Sequence, residues 1–266
     1  MRLIDAHCHL DVLAKGSWEA AKAILERAKE AGVMRIIAIG QWRGEGDFGQ
    51  TLALLERFPE VLFATMGIHP HEAGRVLAED WKQWERLCAQ AEVCAVGETG
   101  LDYFYKHSEP AQQREAFRKH CRVAKCWGKP LVVHMRDAHE DCLCILREEG
   151  VGSQTVIHCF TGDLRQAEDY LTLGCCLSIS GIVTYASAEK LREAVRRIPD
   201  ERLLLETDSP YLAPVPMRGK TNEPAFVAYT AKAVASLRGA KPELLAELCY
   251  ANTLRFFGGE TASTLT

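Results

Sequence analysis

Short apolar runs alternate with amphipathic stretches from one end of the chain to the other. The runs are "RLIDAHCH", "RIIAIG", "LFATMGIHP", "VCAVGETG", "PLVVHM", "TVIHCF", "CLSISG" and "LLLETDSP". Between them apolar residues recur at helical spacing over Trp18–Glu30, Gln50–Phe58, Asp80–Gln90, Ala111–Trp127, Ala138–Glu149, Leu164–Leu173 and Ala188–Ile198. Two further helical patterns follow, over Pro224–Leu237 and Pro242–Phe257. Connections carry glycine or proline punctuation, as in "EAGV", "RFPE", "WGKP" and "RIPD". Strand and helix in steady alternation predict parallel βα units. Eight such units in roughly 250 residues predict an α/β fold, the closed (β/α)8 TIM barrel, with its active site at the C-terminal rim of the strands. A doubly wound open sheet is the competing architecture, but no G-x-G-x-x-G follows the first run. No proline- or serine-rich linker interrupts the pattern. Residues 1–258 are therefore expected to form a single domain, and 259–266 a tail.

Composition changes this picture little. Of the 266 residues 47% are apolar and 26% charged, ordinary globular usage that argues against disorder. No apolar run approaches the ~20 residues of a membrane span, and no basic leader with an apolar core opens the chain. The eleven cysteines are scattered through apolar runs without paired C-x-x-C motifs. They read as small hydrophobes in a reducing, cytoplasmic protein. Cys8 and Cys159 are expected on the strand faces opposite their neighbouring histidines. A net charge of −4 argues against a broad electrostatic nucleic-acid binder, but leaves room for local contacts to phosphate.

The chemistry gathers at the ends of the runs. The first ends in His7 and His9, which alternate along a strand and so share one face. The third ends in His69 and His71, the fourth in Glu98, the fifth in His134, the sixth in His158 and the eighth in Asp208. A barrel brings all these ends to one rim. Singly, each has a bland reading: a histidine hydrogen-bonded at the surface (expected for His107, His120 and His139), a paired glutamate, an aspartate capping a turn. Together, four of these histidines (His7, His9, His134 and His158) and two carboxylates at one mouth are costly to crowd without a cation. Two metal ions would give every one of them a partner.

With these motifs in place the chain resembles the TatD family of metal-dependent hydrolases and deoxyribonucleases, among the amidohydrolase-like barrels. The resemblance covers nearly the whole length. It rests on "DAHCHL", "GIHPH", "VGETGLDY", "VVHMRDA", "HCFTG", "ISG", "LLLETDSPYLAP", "RGKTNEPAFV" and "ANTLRFF", in that order. It implies a divalent-metal nuclease that trims single-stranded DNA from the 3′ end. Carried over by position, it implies that His7, His9 and Asp208 bind one ion, that His134 and His158 bind a second, and that Glu98 bridges them.

Two ions can clamp a phosphodiester and activate the attacking water, with Asp208 placed to orient that water or take its proton. Glu98 and Asp208 are the catalytic candidates. His71, Arg136, Lys220 and Asn222 are candidate phosphate contacts, and Tyr103 and Tyr105 are either base-stacking residues or packed loop anchors. The mixed imidazole and carboxylate set suits Zn²⁺, Mn²⁺, Fe²⁺ or Co²⁺, while the family implies activity with Mg²⁺ or Mn²⁺. A monomer is expected, with DNA as substrate, no obligate protein partner and no membrane attachment. Two other functions compete: an esterase or deacylase on the same metal site, for example one acting on D-aminoacyl-tRNA, and a non-catalytic scaffold.

Overall fold

The computed structural model describes residues 1–258, so the expected tail lies outside the described residues. Eight strands pair in chain order as one parallel sheet. They are β1 (Leu3–Cys8), β2 (Val33–Gln41), β3 (Leu62–Gly67), β4 (Val93–Asp102), β5 (Leu131–Arg136), β6 (Thr155–Ile157), β7 (Cys176–Ile179) and β8 (Leu203–Leu205). Closure falls where the chain beyond β8 meets β1. The Asp208 amide donates to the His7 carbonyl at 2.9 Å, and the His9 amide to the Ser209 carbonyl at 2.8 Å. The result is a (β/α)8 barrel.

The helices are α1 (Leu10–Ala14), α2 (Trp18–Glu30), α3 (Thr51–Arg57), α4 (Ala78–Ala89), α5 (Pro110–Trp127), α6 (His139–Glu149), α7 (Leu164–Thr172), α8 (Glu189–Val195), α9 (Val227–Arg238) and α10 (Pro242–Phe257). Local chemistry sets several of their ends. Ser17 caps α2 by accepting from the Ala20 amide, and Asp163 and Gln166 form a reciprocal capping box on α7. Alternate strand residues such as Ile4, Ala6, Ile37, Ile39, Val132 and Leu204 pack together in a cluster separate from the one beneath the helices. This is the filled interior of a barrel, and Phe257 of α10 packs against it.

The structure departs from the sequence reading in instructive places. Helix α1 follows His9 directly, and at five residues it is too short to display a periodicity. Strand β4 continues past Gly100 to Asp102, where it pairs with Arg136 of β5. The last turn expected of α8 is absent, and the Pro224 pattern opens with a 3-10 turn before α9.

His120 and His139 are buried rather than at the surface. On α5, His120 accepts from the Ile68 amide through Nε2 at 3.1 Å and holds the Ala116 carbonyl at 2.7 Å through Nδ1. Burial pushes its pKa down to about 3. A depressed histidine pKa means that the fold keeps the ring neutral while the unfolded chain takes up a proton below about 6.5. The stability this supplies is complete above 6.5 and is lost as the pH falls towards 3. His120→Gln, which cannot titrate, should lose ~2–3 kcal/mol less than wild type between pH 6.5 and 4.5 in urea unfolding. Equal losses in the two proteins would refute this role.

Candidate metal centre

The candidate ligands on the rim come together where the strand ends are irregular. The register of β4 against β5 shifts between Val96 and Thr99, on either side of Glu98. The shift brings backbones too close for side chains. A Cβ on Gly97, at φ +135°, would lie 2.5 Å from the Val132 carbonyl oxygen, and one on Gly67 would lie 2.4 Å from that of Glu98. Asp208 lies three residues beyond β8 with a left-handed φ of 58°, a conformation that aspartate tolerates better than most residues. Beneath it, the buried Asp5 carboxylate accepts from the Thr207 amide (2.8 Å), the Thr207 hydroxyl (2.5 Å) and the His7 amide (3.3 Å). The two ends of the closure are thereby joined.

Glu98 is buried at the centre, with its two oxygens facing different partners. Oε1 lies 2.7 Å from His158 Nε2, 3.2 Å from His134 Nδ1 and 3.6 Å from His69 Nε2. Oε2 lies 3.5 Å from His7 Nε2 and 3.7 Å from His9 Nε2, and accepts from the Gln41 amide at 2.7 Å. Asp208 Oδ1 stands 3.4 Å from His9 Nε2 and 3.7 Å from His7 Nε2. Potential ligand atoms therefore converge in overlapping groups: His7, His9 and Asp208; His7, Glu98 and His158; His69, Glu98 and His134.

The donor set fits cations. Burial would push the Glu98 carboxyl up, but His158, His69 and His134 outweigh it and hold the group well below the usual carboxylate range. Burial likewise opposes charge on His9, His134 and His158. Their carboxylate neighbours prevail and raise all three: Asp208 and Glu98 at His9, Asp102 and Glu98 at His134, Glu98 and Glu206 at His158. The site is thus built to hold positive charge against buried anions. Four imidazoles and two carboxylates suit a divalent ion of intermediate softness, and relatively hard Mg²⁺ less well.

Two buried carboxylates that the sequence reading passed over stand behind the ligands. Asp102 Oδ2 lies 3.1 Å from His134 Nε2, which leaves Nδ1 to face Glu98. Glu206 Oε1 lies 3.4 Å from His158 Nδ1 and accepts the Cys159 amide at 2.7 Å, which leaves His158 Nε2 to face Glu98. Asp102, at hydrogen-bond distance, selects the His134 tautomer that offers an Nδ1 lone pair inward, whereas His158 Nδ1 makes no hydrogen bond and Glu206 stands beside that ring as a neighbouring charge. The signal was present in "ETDSP", since Glu206 and Asp208 are two apart and alternate along an extended chain. Nothing comparable marked Gln41 or Asp102.

Other expected contacts need correction. His69, at the end of the third run, faces Glu98 directly. Its Nδ1 accepts the His71 amide at 3.2 Å, so in this geometry the neutral ring carries its proton on Nε2, directed at Glu98. Burial keeps that ring neutral, well below its ordinary pKa. His71 points Nε2 at Asp102 Oδ2, 2.9 Å away, and so faces that carboxylate. Asn222 is fully buried. Its amide donates to the carbonyls of Thr207 (2.8 Å) and Tyr211 (2.5 Å), tying the loop after β8 instead of presenting to phosphate. Tyr103 is a loop anchor, its hydroxyl 2.6 Å from Asp141 Oδ2. Lys220 is exposed on the loop after β8. Arg136 lines a cleft of about 750 Å³ together with His134, His158 and Asp208. Cys159 lines the same cleft rather than facing away, because β6 ends at Ile157 and the alternation of a strand stops there.

A family model described as "TatD related DNase" matches residues 4–258. The chain belongs to the TatD family. It is similar to the metal-dependent hydrolase YcfH of Escherichia coli K12, 41% identical over 97% of this chain and 96% of that protein. It is also similar to a protein of Erwinia billingiae named 3′-5′ ssDNA/RNA exonuclease TatD, 38% identical over 88% of this chain and 91% of the relative. Among solved structures, the TatD homologue YjjV of E. coli K12 superposes with a TM-score of 0.89 at 30% identity, covering 97% of this chain and 99% of that one. This TatD-family protein is accordingly a metal-dependent hydrolase. No helix among the described residues is long and apolar enough to cross a membrane.

Proposed function

We propose that this TatD-family hydrolase is a deoxyribonuclease that removes nucleotides from the 3′ end of single-stranded DNA with two divalent ions. The observation that carries the reading is the division of Glu98: Oε1 faces His134 and His158, while Oε2 faces His7 and His9 beside Asp208. His7, His9 and Asp208 would hold one ion, His134 and His158 the other, and Glu98 would join them. When bound, the ions supply Lewis-acid stabilisation of the phosphoryl oxygens and lower the pKa of water. Asp208 orients the attacking water or takes its proton. His69 directs a neutral Nε2–H at the centre and is suited to donate to a phosphoryl oxygen. Gln41 steadies Glu98. Arg136 lines the cleft and makes no salt bridge among the described residues, so its charge is available to a neighbouring phosphate while the guanidinium rests against Phe104 and Tyr105. The name of the Erwinia relative supports the polarity and the single-stranded substrate.

A net charge of −4 argues against a broad electrostatic grip on a duplex. With matched oligonucleotides and Mg²⁺, Mn²⁺, Zn²⁺ or Co²⁺, the single strand should be degraded at least ~10-fold faster than the duplex, a 1.4 kcal/mol discrimination. The products should shorten stepwise from the 3′ end. Equal rates on both, or cuts scattered internally, would count against the proposal.

A further inference from the structure

The segment after Asp102 puts two adjacent large aromatic residues into solvent. Phe104 is 54% and Tyr105 52% exposed. The loop that carries them is not loose. Gln113 of α5, fully buried, accepts the Asp102 amide at 2.8 Å and donates to the carbonyls of Asp102 (3.0 Å) and Ser108 (2.8 Å). Ser108 donates to the His71 carbonyl at 2.7 Å. A loop clamped at both ends holds its exposed rings in place before anything binds, which lowers the ordering cost of binding.

Above these rings lies a cation. The Arg136 guanidinium is 4.2 Å from the Phe104 centroid and 4.8 Å from that of Tyr105. Phe104 and Tyr105 meet edge to face, and the His107 ring runs nearly parallel to Tyr105. Arg136 is two residues beyond His134 on β5 and lines the cleft that holds His134, His158 and Asp208. The ring surface that the guanidinium leaves exposed, beside a cation at the edge of this cleft, matches the chemistry of a nucleobase joined to its phosphate.

The Asp102 carboxylate connects this surface to the centre. Oδ1 accepts the amides of Phe104 (3.0 Å) and Tyr105 (2.9 Å), while Oδ2 faces Nε2 of His134 (3.1 Å) and His71 (2.9 Å). One buried side chain thus sets both a ligand histidine and the aromatic pair.

We infer that Phe104, Tyr105 and the Arg136 guanidinium form a stacking subsite for one nucleobase of the single-stranded substrate, held in register with His134 by Asp102. The inference rests on the nuclease reading and deepens it. Stacking asks only for a π-face, so the subsite accepts any base.

Single strands differing only by an abasic residue at the 3′-terminal or the penultimate position test it. For wild type, kcat/KM should fall about 5- to 100-fold with the abasic residue at one of these positions. A nuclease-resistant phosphorothioate pair should show a matching loss in Kd. In the double variant Phe104→Ala, Tyr105→Ala the ratio of normal to abasic should collapse to about one, and Phe104→Trp should retain it. Wild type that cleaves both strands equally at both positions would overturn the subsite and leave the nuclease reading standing. A double variant that keeps the wild-type ratio would also overturn it, and would leave the exposed pair as a surface for a protein partner. Wild type that cleaves no oligonucleotide with Mg²⁺, Mn²⁺, Zn²⁺ or Co²⁺ would overturn both.

Discussion

Asp208→Asn should keep much of its bound metal but lose at least ~10²-fold in kcat, the scale of a lost general base, while Glu98→Gln should lose metal and rate together. The two carboxylates carry the same charge in different surroundings. Asp208 sits at one side of the centre, with Oδ1 towards His9 and His7. An amide oxygen there still coordinates, but the basic oxygen that handles water is gone. Glu98 stands between both groups of histidines, and each of its oxygens is committed. A neutral amide can present an oxygen to only one side, and its NH₂ would face the nitrogen lone pairs of the other. Metal content by elemental analysis, set beside kcat for each variant, separates the roles. An active Asp208→Asn, or a Glu98→Gln that retains two tightly bound ions, would overturn the assignment.

Asp102→Asn and Glu206→Gln should each weaken metal binding by about 10- to 100-fold, the range found when the outer partner of a ligand histidine is lost. Asp102 fixes His134 through Nε2, and Glu206 stands behind His158 on the Nδ1 side. Titration of metal-stripped protein by calorimetry reads this directly, without turnover. Urea unfolding of the stripped protein supplies the contrast. Glu206 is buried with Oε2 lacking a hydrogen-bond partner among the described residues. Exchanging a desolvated carboxylate for an amide there should change stability by no more than ~1–2 kcal/mol. A large stability loss with unchanged metal affinity would make Glu206 a structural residue only. Asp102→Asn should also blunt discrimination against an abasic strand, because the Phe104 and Tyr105 amides share that carboxylate.

The sequence by itself determined the barrel and the inward-facing ligand candidates. Apolar runs of strand length separated by helical periodicities specify parallel βα units through local burial preferences alone, and the eight strands follow those runs. That His7, His9, Glu98, His134, His158 and Asp208 would gather was legible because strand ends share one rim. Family motifs reinforced the assignment. What the tertiary structure alone decided was the second tier. Asp102 reaches His134 and His71 because β4 continues beyond the predicted strand end, and neither contact leaves a periodic trace. Gln41 ends β2, far in sequence from the glutamate it steadies. His69 and His71 share the stretch "GIHPH", yet a turn sends one towards Glu98 and the other towards Asp102. Asn222 sits in a motif that invites a phosphate-binding reading, but backbone carbonyls occupy its amide. Local pattern encodes which face of an element is buried. Which atom of a polar side chain finds which partner depends on the angles at which distant strand ends meet, and closure of the barrel sets those angles.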